Sequence, residues 1–208
     1  MESYPKIAAS GSNLFVVWNV GMPSVEDNNY NNKVGKEQGI FFTKSSDSGG
    51  SFSGIAKLNN QGNIVGESQI DASGSQVYIV WSGNSDNLIP NDLFFIKSTD
   101  RGNTFTDEIS LSKKSSLNAE ISVYADNVYI PWQDGISKGT NQEILLKHST
   151  DSGNTFTDTI ENLSNNKGVS ECPSIAVSQN ILYLVWEDDT LGNHEIFFTR
   201  SDNQYKLS

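Results

Sequence analysis

Ser98-Thr-Asp100-Arg-Gly102-Asn-Thr104-Phe105 and Ser149-Thr-Asp151-Ser-Gly153-Asn-Thr155-Phe156 are two copies of one pattern, Ser-x-Asp-x-Gly-x-Thr-Phe. Ser45-Ser-Asp47-Ser-Gly49-Gly-Ser51-Phe52 is a third, with Ser in place of Thr. The copies start 53 and 51 residues apart, a period at which repeat architectures must be considered before any other. Each pattern suits a tight turn: the carboxylate accepts backbone N–H bonds, Gly permits a positive φ, and the closing aromatic tucks between sheets. The three aspartates therefore read as structural. A fourth copy, Ser201-Asp-Asn203-Gln, has Asn at the Asp position and no following Gly, so that turn is broken.

Working outward, each copy is preceded by the same pair of apolar runs. The first ends in Trp18, Trp81, Trp132 or Trp186, spaced 63, 51 and 54 residues apart; the long first interval holds an insertion rich in Asn and acidic residues between Trp18 and Ile40. The runs Leu14 to Trp18, Val77 to Trp81, Val128 to Trp132 and Leu182 to Trp186 are nearly continuous in apolar residues, which predicts strands covered on both faces. We read them as the second strand, B, of a four-stranded repeat. Strand A lies around Ile7, Ile70, Ile121 and Ile175. Strand C starts at Ile40, Leu93, Ile144 and Ile196 and reaches Ser45, Ser98, Ser149 and Ser201. A weaker strand D is marked by Ile55 and Leu58, Ile109 and Leu111, and Ile160 and Leu163, and the fourth repeat ends before it. Pro131 inside a strand B predicts a local irregularity. No segment shows helical apolar spacing, so the predicted fold class is all-β, a propeller of four-stranded antiparallel blades over about 4–60, 66–114, 118–165 and 170–208 within a single domain 1–208. An unfinished fourth blade also leaves a strand edge that invites pairing with another chain.

Composition sets limits on partners. The formal charge of −11 over 208 residues repels phosphate backbones and anionic lipid, so neither nucleic acid nor membrane insertion is expected. No run approaches the apolar length of a membrane span, and Met1 to Lys6 carries no signal-peptide region. The abrupt start at a repeat boundary suits an excised piece of a longer protein. Cys172 is the one cysteine, which excludes an internal disulfide and reads as a small buried filler. Asn162-Leu-Ser164 is a single glycosylation sequon, meaningful only if the protein is exported.

The three intact turns resemble the Asp-box, or BNR, repeat of the sialidase superfamily, and the blade context extends that resemblance over nearly the whole chain. The positions it marks as structural are Ser45, Asp47, Gly49 and Phe52; Ser98, Asp100, Gly102 and Phe105; and Ser149, Asp151, Gly153 and Phe156. An extracellular or cell-surface setting is what the resemblance implies. It also implies a six-bladed ring in which three arginines clamp the substrate carboxylate, a tyrosine paired with a glutamate is the nucleophile, and an aspartate is the acid/base. The clamp needs guanidinium because its planar fork matches a carboxylate bidentately. This sequence has two arginines, Arg101 within a turn and Arg200 at a basic position repeated as Lys44, Lys97 and His148. No catalytic residue carries over, and His148 reads as a repeat residue.

In an up-and-down blade the B–C and D–A connections emerge at one end and the A–B turns and Ser-x-Asp turns at the other. The first is the expected ligand end, with candidate residues Glu26, Asp27 and Tyr30 in the insertion, Asp86 in the second repeat, Asp134 in the third, and Asp188, Asp189 and His194 in the fourth. Asp92, Glu143, Glu187 and Glu195 add acidity there; Glu143 and Glu195 share the position before strand C, which reads as a repeat feature. Asp188, Asp189 and His194 suit a cation or sugar hydroxyls, but no calcium-loop spacing is present, and neither metal nor cofactor is predicted. The expected function is a non-catalytic binding or scaffold module for glycan or protein, with self-association through the incomplete fourth blade. The alternative is a fragment of a sialidase, or a divergent glycoside hydrolase using carboxylates of this end.

Overall fold

The computed structural model describes residues 2–20, 39–59, 65–83, 92–112, 116–134 and 141–201. They form four antiparallel sheets and no helix. The first holds β1 (Glu2–Ser10), β2 (Asn13–Val20), β3 (Gly39–Ser45) and β4 (Ala56–Lys57) in sequence order; the second holds β5 (Val65–Ser73), β6 (Gln76–Gly83), β7 (Asp92–Ser98) and β8 (Ile109–Ser112) in the same order. In the third, β9 (Ser116–Leu117) and β10 (Ser122–Tyr124) both pair with β11 (Asn127–Asp134), followed by β12 (Glu143–Ser149) and β13 (Glu161–Asn162). The fourth has β14 (Ser170–Ser178), β15 (Ile181–Asp188) and β16 (Glu195–Arg200), with no outer strand among the described residues. The expected fold class therefore holds. The chain divides into two compact units, Met1–Ser110 with blades one and two, and Leu111–Ser208 with blades three and four.

Each blade has two faces, because successive residues of a strand point to opposite sides. One carries the tryptophan: Trp18 faces Phe41, Trp81 faces Phe94 and Trp186 faces Phe197 across the B–C pairing, with ring centroids 5.8 to 6.1 Å apart. The other carries Phe15, Val17, Ile40 and Phe42 in blade one and Tyr129, Ile144 and Leu146 in blade three. Within each unit the second kind of face packs on the first kind. In unit one, Phe15, Val17, Ile40 and Phe42 meet Ile70, Val77, Ile79 and Trp81; in unit two, Tyr129, Ile144 and Leu146 meet Leu182, Leu184 and Trp186. Fully burying such a side chain contributes roughly 1.5–3 kcal/mol, so each interface holds the two blades of its own unit together.

The irregularity expected at Pro131 falls on its neighbour. β11 runs unbroken through Pro131, while strand A beside it is split into β9 and β10, with Glu120 N–H bridging the gap to the Pro131 carbonyl at 2.9 Å. The other blades shift register at the same level of strand A, between Ser3 and Lys6, Val65 and Ser68, and Glu171 and Ser174. These are bulges; Tyr4 and Cys172 occupy the first and last with φ of 56° and 53°, and Asn118 stands in the gap between β9 and β10 with φ of 49°. Cys172 is exposed, which corrects the reading of it as a buried filler: a left-handed bulge residue turns its side chain away from the sheet's packing face.

Candidate functional site

The three Ser-x-Asp turns are built alike. Ser45 Oγ donates to Asp47 Oδ1 at 2.7 Å and accepts from Gly49 N at 2.9 Å. Asp47 in turn accepts from Ser51 N at 2.9 Å and Ser51 Oγ at 2.7 Å. Ser98 and Asp100 repeat the set with Gly102 and Thr104, and Ser149 and Asp151 repeat it with Gly153 and Thr155. Two successive left-handed residues sharpen each turn: Ser48 and Gly49, Arg101 and Gly102, Ser152 and Gly153. Ser48, Arg101 and Ser152 donate their backbone N–H to Ser12, Ser75 and Asp126 in the adjacent A–B turns. Hydrogen bonds from Ser45 and Ser51 hold the Asp47 carboxyl down to about 2, and those from Thr104 with Ser98, and from Thr155 with Ser149, hold Asp100 and Asp151 lower still. All three carboxylates are ionised acceptors with their lone pairs engaged, and none can deliver a proton near neutrality.

The turn aromatics differ. Phe105 packs edge-on against Phe42 with centroids 5.1 Å apart, as expected of a residue tucked between sheets. Phe52 does not; it stands exposed, because the tryptophan face of blade one carries no covering sheet within its unit. A shallow hollow of ≈ 360 Å³ beside the third turn, lined by His148, Phe156 and Asp158 among others, lies at this end of the blade too. His148 stacks on Tyr129 at 5.9 Å and has Nδ1 3.6 Å from Glu161 Oε1, which fits a packing residue.

Of the residues expected at the opposite end of the blades, Glu26, Asp27, Tyr30 and Asp86 lie outside the described residues. Asp134 ends β11, half-buried, with Glu143 facing it from β12 and Ser116 from β9. Glu143 is pinned: Asn141 Nδ2 donates to Oε1 at 2.8 Å and Ser164 Oγ donates to Oε2. An amide chain runs alongside, with Gln133 Nε2 donating to Gln142 Oε1 at 3.1 Å and Gln133 Oε1 accepting from Asn118 Nδ2 at 2.8 Å and Cys172 N at 3.3 Å. Sequence reading missed this chain, since only the register places Asn118, Gln133 and Gln142 together.

Asp188, Asp189 and His194 do not converge. Asp188 is buried and satisfied: Oδ2 accepts from Asn166 Nδ2 at 2.6 Å, Ser170 Oγ at 2.7 Å and Trp186 Nε1 at 3.1 Å, and Oδ1 accepts from Thr190 N at 2.9 Å. Burial alone would raise its pKa, but the bonds from Thr190, Ser170 and Asn166 outweigh that and hold the carboxyl well below the usual range. Asp189 Oδ1 accepts Val169 N at 2.6 Å, shaping the loop. His194 lies on the other side of the strand, its Nδ1 3.7 Å from Glu187 Oε1. Glu171, which sequence reading did not single out, faces Glu187 across β14 and β15, so one ligand atom each of Glu171, Glu187 and His194 lie within 4.8 Å of one another. Facing carboxylates repel.

The chemistry of this end follows. Carboxylates and amides fixed by neighbours accept hydrogen bonds from hydroxyls, and no guanidinium is there to hold an anion: Arg101 sits in a Ser-x-Asp turn and Arg200 at the far end of β16. Among the described residues no helix is long and apolar enough to cross a membrane.

No protein-family model matches the chain, and no curated protein is similar to it at a significant level. Solved structures are. A Trypanosoma rangeli sialidase is similar over 100% of this chain and 37% of its own, with a TM-score of 0.69 at 15% identity. The subtype N10 neuraminidase-like protein of A/little yellow-shouldered bat/Guatemala/060/2010 is similar over 100% of this chain and 58% of its own, with a TM-score of 0.60 at 12% identity. The xylan beta-1,4-xylosidase from Bacillus halodurans C-125 is similar over 95% and 39%, with a TM-score of 0.56 at 11% identity. The chain thus spans between about a third and three fifths of these proteins' lengths. At such identities the likeness is one of fold, and it makes this chain a propeller of the sialidase-like kind.

Proposed function

We propose that this chain is a non-catalytic binding or scaffold module whose B–C loop end accepts a neutral, hydroxyl-rich glycan. The observation that carries this reading is the placement of the arginines: both stand at the Ser-x-Asp end of their blades, remote from the loops. A sialic acid presents a carboxylate that must be paired when it leaves water, and a surface of carboxylates repels it. The same surface suits sugar hydroxyls. Glu143 and Gln142 are held by neighbours in fixed positions, Gln142 by the buried Gln133, so they accept hydrogen bonds with little ordering cost. Asp188, the most strongly perturbed carboxylate of this end, has both oxygens occupied and shapes the loop that carries Asp189 and His194.

The test is a paired assay on the purified chain: binding to an array of neutral and sialylated oligosaccharides, and hydrolysis of fluorogenic sialosides and xylosides. Binding to neutral glycans that falls at least about tenfold in Glu143→Gln, with no turnover, supports the proposal. Turnover of either substrate, or preference for sialylated glycans, overturns it.

A further inference from the structure

Ile196 and Phe198 are exposed by 73% and 60% in blade four, yet the residues at the same register in blade three, Ile144 and Leu146, are exposed by 0% and 4%. Ile40 and Phe42 hold those positions in blade one and are equally buried, against the tryptophan face of blade two. Blade four therefore presents, uncovered, the kind of face that in both units packs on a neighbour's tryptophan face. Among the described residues, blade one presents a tryptophan face that no sheet of its unit covers. In blade one Ile7 is exposed by 64%, whereas Ile70, its counterpart in blade two, is exposed by 8%, and Trp18, Val16 and Leu14 beside it are half-buried.

Two further contacts of the blade one to blade two interface have both halves waiting. Phe105 of the second turn seats on Phe42; the corresponding pair, Phe52 in the first turn and Phe198 in blade four, is exposed on both sides. Lys44 Nζ donates to the Arg101 carbonyl at 2.9 Å and to Asn103 Oδ1, tying blade one to the turn of blade two. Arg200 has the register position of Lys44, facing Tyr183 as Lys44 faces Phe15, and is exposed. The corresponding turn carbonyl is that of Ser48.

From this we infer that the chain self-associates head to tail: blade four of one copy seats on the tryptophan face of blade one of a second copy, with Phe198 on Phe52 and Arg200 reaching the Ser48 carbonyl. The contact goes beyond the binding role proposed above, and it uses sheet faces where edge pairing through the missing outer strand would use backbone. Because the two surfaces differ, the interface is heterologous, so each copy keeps one surface of each kind and association runs on until it closes.

Light scattering across a concentration series tests it. Wild type is expected to exceed the single-chain mass of 22.8 kDa. Phe198→Asp and Ile7→Asp alter exposed side chains, so each should keep the wild-type circular dichroism while associating at least about tenfold more weakly. An equimolar mixture of the two variants should recover a heterodimer, since Phe198→Asp leaves a sound blade-one face and Ile7→Asp a sound blade-four face. A wild type that stays at single-chain mass at every concentration overturns the inference. So does an oligomer that persists in Phe198→Asp, which would point to edge pairing, or a mixture that fails to recover association.

Discussion

β6 and β15 are nearly interchangeable as sequences, Gln76-Val-Tyr-Ile-Val-Trp-Ser-Gly83 against Ile181-Leu-Tyr-Leu-Val-Trp-Glu-Asp188, and they live in different surroundings. β6 is buried at every position after the first, whereas β15 alternates half-buried and buried residues along its length. β11 behaves like β6 and β2 like β15. A second strand with two apolar faces thus announces what it is made to touch. Its actual burial is set by its surroundings and is not written in its own residues.

The sharpest way to break this comparison is to place a charge at matched positions. Ile144→Asp buries an unpaired carboxylate between blades three and four and is expected to prevent folding of that unit. Ile196→Asp puts the same charge on an uncovered face, and in the single-chain state should change stability by no more than about 0.5 kcal/mol. Urea unfolding of both variants checks this; equal losses would mean that the face of blade four is covered in solution.

A smaller contrast comes from the tryptophans. Trp132 is fully buried, and Trp132→Ala is expected to cost about 3–5 kcal/mol by denaturant midpoint. Trp18, half-buried, should cost less than half as much, about 1–2 kcal/mol, since part of its ring already meets water. If Trp18→Ala costs as much as Trp132→Ala at high protein concentration and little at low, the difference measures self-association directly.

Acid provides the smallest effect and separates the blades by another criterion. The carboxyls of Asp47, Asp100, Asp151 and Asp188 all lie below the usual carboxylate value when folded. A depressed folded pKa means that the unfolded chain binds the proton first. The stability these groups contribute is present above the unfolded value near 4 and is lost as pH falls toward the folded values. Asp100→Asn should flatten this acid limb in blade two, and Asp188→Asn should do so in blade four, which has no intact turn of its own. Thermal melts from pH 6 to pH 2 check both.

Much of this was legible in the residues. The Trp spacing and the Ser-x-Asp turns located every strand C to within a residue, because a two-residue period and a turn with two left-handed positions leave few alternatives. The bulges in strand A were also signalled, in retrospect: Pro5 and Pro173 precede Trp18 and Trp186 by the same thirteen residues. The loop end was much less legible. Asp188, Asp189 and His194 are near neighbours in sequence, yet strand alternation and the loop after β15 send them in different directions. Glu171 joins Glu187 and His194 only through a cross-strand register that no local pattern records. Exposure of Ile196 and Phe198 could not be read at all, since apolar residues look the same whether or not something covers them.

The tie from Lys44 to the turn of blade two has a bearing on how such a chain changes over generations. Both halves of the joint are written into each of the first three repeats: a basic residue and an apolar side chain before the turn, and a turn with its aromatic after it. A duplicated repeat therefore arrives with the means to join the blade before it and the blade after it, and a deleted one leaves its neighbours able to meet. Blade four lacks the intact motif in Ser201-Asp-Asn203, yet blades three and four still pack through Leu146 and Trp186, so the sheet faces carry the joint and the turn adds to it. Blade number can drift by recombination while the sequence of each blade stays under its own local selection.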